Sequence, residues 1–225
     1  MKNETISTPK FHYSKYKSYV FDCDGVLLNS NKIKTQAFYS VALPYGINAA
    51  KSLVNYHIMN GGVSRYKKFQ FFITDILGKT VIENELKQLL LNFSKEVKKG
   101  LMSCEVAIGL KSLREKTLKS KWLVVSGGDQ NELREVFVKR DLTKFFDGGI
   151  FGSPETKEQI LRREIQNDNI QYPAIYLGDS KYDYSVAKSF GIDFLFISGW
   201  SEVKEWSSFC EKNNIKSLAK ISNLL

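Results

Sequence analysis

Only three cysteines occur in 225 residues, and Cys23, Cys104 and Cys210 show neither paired nor metal-ligand spacing. That pattern excludes a disulfide framework and a thiolate metal site, and it suits a reduced cytoplasm. No stretch approaches the roughly 18 uninterrupted apolar residues needed to span a membrane. The first ten residues are polar and lack the apolar centre of a secretory signal. Arginine-rich arms, finger spacings and aromatic RNA-binding signatures are missing, as are internal repeats and low-complexity linkers. The net charge is +9, from 33 Lys+Arg against 24 Asp+Glu. Those lysines run along the whole chain, with only short doublets such as Lys67-Lys68 and Lys98-Lys99. A solvated lysine-rich surface accounts for them, and no nucleic-acid partner is expected.

What the chain does have is the balance of a soluble globular protein, with 43% hydrophobic and 25% charged residues. Its length suits one large domain, or one domain carrying a smaller one. The stretch Tyr19-Val20-Phe21 is a β-branched and aromatic run, long enough for a buried strand. It ends in Asp22-Cys23-Asp24-Gly25. Positions i and i+2 of an extended chain share a side, so Asp22 and Asp24 can converge. Two such carboxylates need a cation or a shared proton between them. A solvated turn, with Gly25 supplying a positive φ, reads the same residues more plainly. Cys23 points the other way, as a small buried hydrophobe.

Met1 to Ser14 reads as a loose tail. Beyond the first strand the pattern becomes helical. The sequence predicts helices over Ile33 to Leu43, closed by Pro44 and Gly46, and over Ala49 to Met59, ended by Gly61-Gly62. A third carries Tyr66, Phe69, Phe72, Ile73, Ile76 and Leu77 on one face and stops at Gly78. Thr80 with Glu83 forms a capping box for a fourth. Its apolar face is Ile82, Leu86, Leu89, Leu90, Phe93 and Val97.

From Val106 strands and helices alternate. A helix is predicted over Val106 to Leu118 and a strand over Trp122 to Val125, ending in Ser126-Gly127-Gly128. Asp129 and Glu132 then open a helix that runs to Lys139. A strand at Gly149 to Phe151 and a helix from Thr156 to Gln166 follow. The strand Ala174 to Leu177 ends in Gly178-Asp179, and a helix over Tyr184 to Phe190 leads to the strand Phe194 to Ile197. Alternation of this kind implies an α/β fold, a Rossmann-like parallel sheet with helices on both faces. The expected organisation is a discontinuous core, 15–30 with 103–225, a helical cap over 31–102 and a tail over 1–14.

Parallel strands place their carboxyl ends on one edge, so Asp22/Asp24, Ser126 and Asp179, with Asp183 four residues on, can meet there. Four carboxylates together would demand a hard cation, and Mg²⁺ takes such oxygen ligands. Ser126-Gly127-Gly128 offers a hydroxyl and glycine amides before a helix N-terminus, a cradle for phosphate oxygens or simply a turn. Lys157 sits in the first turn of a helix, where the macrodipole disfavours a cation. It is an ordinary surface lysine beside Glu155 and Glu158, or a charge clamp on phosphate.

In this order, the segments FDCDGV at 21–26, VVSGG at 124–128, Lys157 within SPETKEQIL at 153–161, and GDSKYD at 178–183 resemble the haloacid dehalogenase superfamily. The resemblance runs from about Tyr19 to Gly199. It implies an Mg²⁺-dependent phosphatase for a small phosphorylated metabolite such as a sugar, polyol or amino-alcohol phosphate. Asp22 would be the nucleophile, forming an aspartyl phosphate, and Asp24 the general acid and base. The metal would be held by Asp22, the Asp24 main chain and Asp179, with Asp183 in the same site. Ser126, Gly127 and Lys157 would hold the phosphoryl oxygens. Asp24 sets the chain apart from members that only dehalogenate or that carry threonine there. Gly62-Val63-Ser64-Arg65 resembles the cap segment of β-phosphoglucomutases, which makes Arg65 a candidate substrate contact and a phosphomutase the alternative. Against it, the histidine of those mutases falls on Lys34, and KPxP around the lysine becomes SPETK. Of the two histidines, His12 lies in the tail and His57 suits packing on a helix. A non-catalytic binding protein would have lost a motif residue, and none is lost.

Overall fold

The computed structural model describes residues 15–225, so the tail over 1–14, with His12, lies outside the described residues. The aromatic and β-branched run forms β1 (Ser18–Phe21), buried at every position. It is hydrogen-bonded on one side to β2 (Lys121–Asp129) and on the other to β4 (Ala174–Gly178). With β3 (Gly149–Ser153), β5 (Asp193–Ile197) and β6 (Lys216–Leu218), the sheet runs β3-β2-β1-β4-β5-β6. Every pairing is parallel. Parallel neighbours need crossovers, which α6 (Gln130–Lys139), α7 (Lys157–Gln166), α8 (Lys181–Ser189) and α9 (Trp206–Lys212) supply among the later strands.

Alternate residues of the central strands feed two cores, one per face. Tyr19, Phe21, Trp122 and Val124 enter one, and Val20, Leu123, Val125 and Tyr176 the other. This is the α/β arrangement predicted from the alternation. The chain steps from β1 out to β3 and then returns to β4 on the opposite side of β1. The strand order therefore reverses beside β1, where ligand crevices form in such sheets.

Between β1 and β2 lie α1 (Asn31–Ala42), α2 (Ile47–Met59), α3 (Arg65–Phe71) and α4 (Glu83–Ser103). Their shared interior is aromatic: the Phe38 ring lies 4.3 Å from Phe93 and 5.2 Å from Phe69. Pro44 opens a single 3-10 turn that ends α1, and α3 continues into a π-turn over Phe72–Ile76 before Gly78 at φ +64°. Among the described residues, no helix is long and apolar enough to cross a membrane.

Three local expectations need correction. The capping box at Thr80 does not form, because the chain after Gly78 is tied back by Lys79 N–H to Ile73 O and stays extended through Ile82. Helix α4 starts at Glu83, and Ile82 is 62% exposed rather than on its buried face. The helix expected from Val106 is only α5 (Leu110–Lys116). Val106 bridges Leu28, Ala107 N–H donates to Leu27 O, and Gly109 at φ +93° breaks the run. Finally, β2 extends through both glycines to Asp129, and α9 and β6 complete the sheet beyond Gly199.

Candidate active site

The first motif leaves β1 at its carboxyl end. Asp22, 2% exposed, accepts the Cys23 amide at 2.7 Å and faces Lys157 Nζ at 3.0 Å. Lys157 comes from the first turn of α7, whose Thr156 forms a full capping box with Gln159. The same ammonium donates to Asp183 Oδ1 at 2.5 Å. Burial works against that charge, yet Asp183 and Asp22 outweigh it and hold Lys157 well above its ordinary value. The lysine is buried and paired with two carboxylates, not a surface residue.

Asp183 lies in the first turn of α8, capped by Ser180. Its Oδ2 accepts Ser180 Oγ at 2.6 Å and the Ser180 amide at 3.1 Å, while Tyr176 O–H, 3.3 Å from Oδ1, adds to the lysine bond. Both oxygens of Asp183 are thus engaged by protein donors. The carboxylate of Asp179, just past the end of β4, accepts Asn31 Nδ2 at 2.7 Å as its one side-chain hydrogen bond among the described residues. Burial, then Asp22 and Asp183, push the Asp179 carboxyl well above its usual range. Burial likewise raises Asp22 to about 7, despite Lys157.

One oxygen from each of Asp22, Asp179 and Asp183 lies within 4.8 Å of the others, and all three residues are buried. These are hard carboxylate donors, crowded and under-neutralised, which is the donor set that Mg²⁺ takes. Gly25 makes the crowding possible, because a Cβ there would lie 2.1 Å from Asp179 Oδ2. The site therefore fits the cation. Four carboxylates were expected to meet, however, and the Asp24 side chain turns aside. It accepts Lys34 Nζ at 2.5 Å and Ser30 Oγ at 2.5 Å. Burial raises Asp24, but Lys34 and Ser30 overcome it and hold the carboxyl below its ordinary value.

Ser126 is fully buried in β2 and accepts the Gly128 amide at 3.0 Å. Ser153 O–H donates to Gly127 O at 2.8 Å, fixing the glycine loop just before α6. Gly62, between α2 and α3, presses on that loop: a Cβ on Gly127 would lie 2.1 Å from Gly62 O. The helical unit is thus closed onto the strand ends. The cavity left between them, about 60 Å³, is lined by Asp22, Asp24, Gly127 and Asp179 below and by helical-unit residues above.

Arg65 reaches this cavity but is committed elsewhere. Its guanidinium forks onto both carboxylate oxygens of Glu132 in α6, donates to Ser94 Oγ at 2.9 Å and lies over the Phe93 ring. Next to it, Tyr66 O–H donates to Asp129 at 2.7 Å. Sequence reasoning overlooked Asn31, Tyr176, Ser180 and Glu132 as partners of the site. Ser180 alone carried a signal, since Ser three residues before Asp183 is a helix-cap pattern. It also placed Lys68 among solvated lysines, whereas Lys68 is 2% exposed and lines the cavity.

Residues 19–197 match the family model of the haloacid dehalogenase-like hydrolases. The chain belongs to that family. It is a haloacid dehalogenase-like hydrolase, an enzyme. A curated relative, the phosphorylated carbohydrates phosphatase of Thermotoga maritima, is 27% identical over 194 residues, covering 80% of this chain and 84% of its own. Among solved structures, a predicted phosphatase from Clostridium acetobutylicum superposes with a TM-score of 0.71 at 19% identity, over 93% of this chain and 96% of that one. A β-phosphoglucomutase candidate from Bacteroides vulgatus also gives 0.71, at 14% identity, over 92% and 84%. At those identities the two structures show that the chain shares their fold.

Proposed function

We propose that the hydrolase is an Mg²⁺-dependent, cytoplasmic phosphatase that hydrolyses a compact phosphorylated metabolite through an aspartyl phosphate on Asp22. The observation that carries this reading is the buried Asp22–Asp179–Asp183 cluster with Lys157 held against Asp22 at 3.0 Å. Asp22, Asp179 and the Asp24 main chain would hold the metal. Asp183, both of its oxygens occupied, would serve it chiefly by fixing Lys157. When bound, the cation offsets the repulsion between a carboxylate nucleophile and a phosphate dianion.

The chain's own groups do the rest. An Asp22 oxygen attacks phosphorus as the bond to the leaving alcohol breaks, and Asp24 passes a proton to that alcohol. Asp24, now a carboxylate, takes a proton from the water that attacks the acyl phosphate, which frees inorganic phosphate and restores Asp22. Lys34 favours the carboxylate form needed for this second step. Ser126, the Gly127 amide and Lys157 would hold the phosphoryl oxygens and align them for in-line attack. The closed helical unit, acting as a cap, would exclude water while the first step runs.

The relative that acts on phosphorylated carbohydrates supports a sugar or polyol phosphate as substrate. A phosphomutase remains the second reading, favoured by the Arg65 segment. Lys34 in place of the mutase histidine, and the engagement of Arg65 by Glu132, weigh against it. The product decides between them. Incubation of a sugar phosphate with the enzyme and Mg²⁺ is expected to yield free phosphate without a bisphosphate primer. An isomerised sugar phosphate that appears only with the primer would overturn hydrolysis as the main reaction.

A further inference from the structure

The cavity wall contributed by the helical unit is cationic, and its charges are not equally answered. Lys34 is paired with Asp24, and Arg65 with Glu132. Lys68, from α3, is buried to the same degree as the core phenylalanines around it, yet no carboxylate lies within ion-pair distance among the described residues. Among the described residues, its ammonium nitrogen finds one hydrogen-bond partner, His57 of α2, at 2.7 Å from Nδ1. The Phe38 ring backs both, 4.5 Å from the imidazole and 5.5 Å from the ammonium nitrogen. Lys68 and His57 line the same cavity as Asp22 and Asp24.

A buried ammonium with no counter-charge is costly, and proteins that retain one normally supply an anion to it. The structure assigns Lys68 and His57 as the receptor for a carboxylate at the end of the substrate remote from its phosphoryl group, so that the preferred substrate is a small phosphorylated hydroxy acid. This assignment rests on the phosphatase reading above and replaces the sugar or polyol phosphate suggested there by a carboxylate-bearing substrate.

The chemistry of the niche supports that choice. Nδ1 of His57 faces the Lys68 donor, so the neutral ring carries its proton on Nε2, a second donor on a residue that lines the cavity. Two donors on adjacent helices match the two oxygens of a carboxylate. Burial, with Lys34 nearby, lowers Lys68 to about 7. A carboxylate beside it would restore the charge. Lys34, Arg65 and Lys157 add positive potential around the same space, while the carboxylates that line it are Asp22, Asp24, Asp179 and Glu202, of which Asp24 and Glu202 act most on Lys68. An ammonium-bearing substrate would meet this wall at a disadvantage, so amino-alcohol phosphates fall out of the expected range.

The test is phosphate release by the full chain with Mg²⁺ from four short phosphomonoesters: 3-phosphoglycerate, glycerol 3-phosphate, O-phosphoethanolamine and propane-1,3-diol bisphosphate. The wild-type enzyme is expected to favour 3-phosphoglycerate over glycerol 3-phosphate by about tenfold or more in kcat/KM, the scale of one buried charge contact. Phosphoethanolamine should be the poorest. In Lys68→Met the ratio should collapse toward one through a raised KM for 3-phosphoglycerate, and Lys68→Arg should recover part of it. His57→Gln gives an independent arm, expected to cut the ratio several-fold.

Turnover of all four esters without a carboxylate preference, or a preference untouched in both Lys68→Met and His57→Gln, would overturn the assignment and leave the phosphatase reading standing. Preference for the bisphosphate would overturn it in favour of a second phosphate. No metal-dependent release from any ester would instead remove the phosphatase reading beneath it.

Discussion

Lys68 shows how a single residue can be costly to the fold and useful to the site. Its pKa is about 7 in the folded chain against 10.5 when solvated, so the unfolded state binds the proton more tightly. Stability should therefore rise with pH between those two values, and the cost is complete below pH 7. Lys68→Met is expected to raise the melting temperature by several degrees at pH 7, with the gain shrinking toward pH 10. Thermal unfolding of the two proteins across pH checks this. A destabilised variant at pH 7 would show that the ammonium is satisfied in a way the contacts do not reveal. Gly127 is constrained by space rather than charge. With Gly62 O only 2.1 Å from where its Cβ would lie, Gly127→Ala must push the helical unit off the loop. Turnover should fall by about a hundredfold for a misplacement near 1 Å, with little change in melting temperature.

The residues that made the site legible in the sequence were those fixed by local geometry. Asp22, Asp179 and Lys157 each sit at a strand end or a helix start, positions that periodicity and capping rules locate. Lys68 and Arg65 were not legible in the same way. A Lys67-Lys68 doublet reads as solvent-facing, and only the rotation of α3 against α1 and α2 decides that one of the pair is buried. The partner of Arg65, Glu132, is 67 residues away in the sequence, and no spacing rule connects them. The same holds for the side chain of Asp24, which strand alternation directs toward Asp22 but Lys34 draws away.

At the scale of elements, boundaries were readable where a side chain caps a helix and unreadable where tertiary hydrogen bonds intervene. Asp129, Thr156 and Ser180 all cap as sequence rules require. Thr80 and the residues from Val106 to Gly109 obey long-range bonds instead. The contact between α3 and α6 is the element-scale device that holds the helical unit on the sheet. Arg65 pairs with Glu132 and Tyr66 with Asp129, both across that seam. Truncating either member of the buried pair leaves the other without its counter-charge. Arg65→Ala and Glu132→Ala are each expected to cost about 2–4 kcal/mol of stability. The double variant should cost well under their sum, with a coupling above ~1 kcal/mol in denaturant unfolding. Additive losses would mean that the two side chains do not act as a pair.

For the whole molecule, the parallel sheet brings three distant segments to one edge, and the helical unit closes over them. The carboxylates gathered there repel one another in the absence of a cation, so Mg²⁺ should bind the folded chain and not the unfolded one. Its addition is expected to raise the melting temperature in a concentration-dependent way, and Asp179→Asn should remove most of that shift. The most direct test of the account is phosphate release from a small phosphomonoester by the wild-type chain and by Asp22→Asn, each with Mg²⁺ and with the metal chelated. Release is expected from the wild-type chain with Mg²⁺ alone, with a loss of at least about a thousandfold in the other three conditions. Comparable release from Asp22→Asn, or from the wild-type chain after chelation, would contradict it.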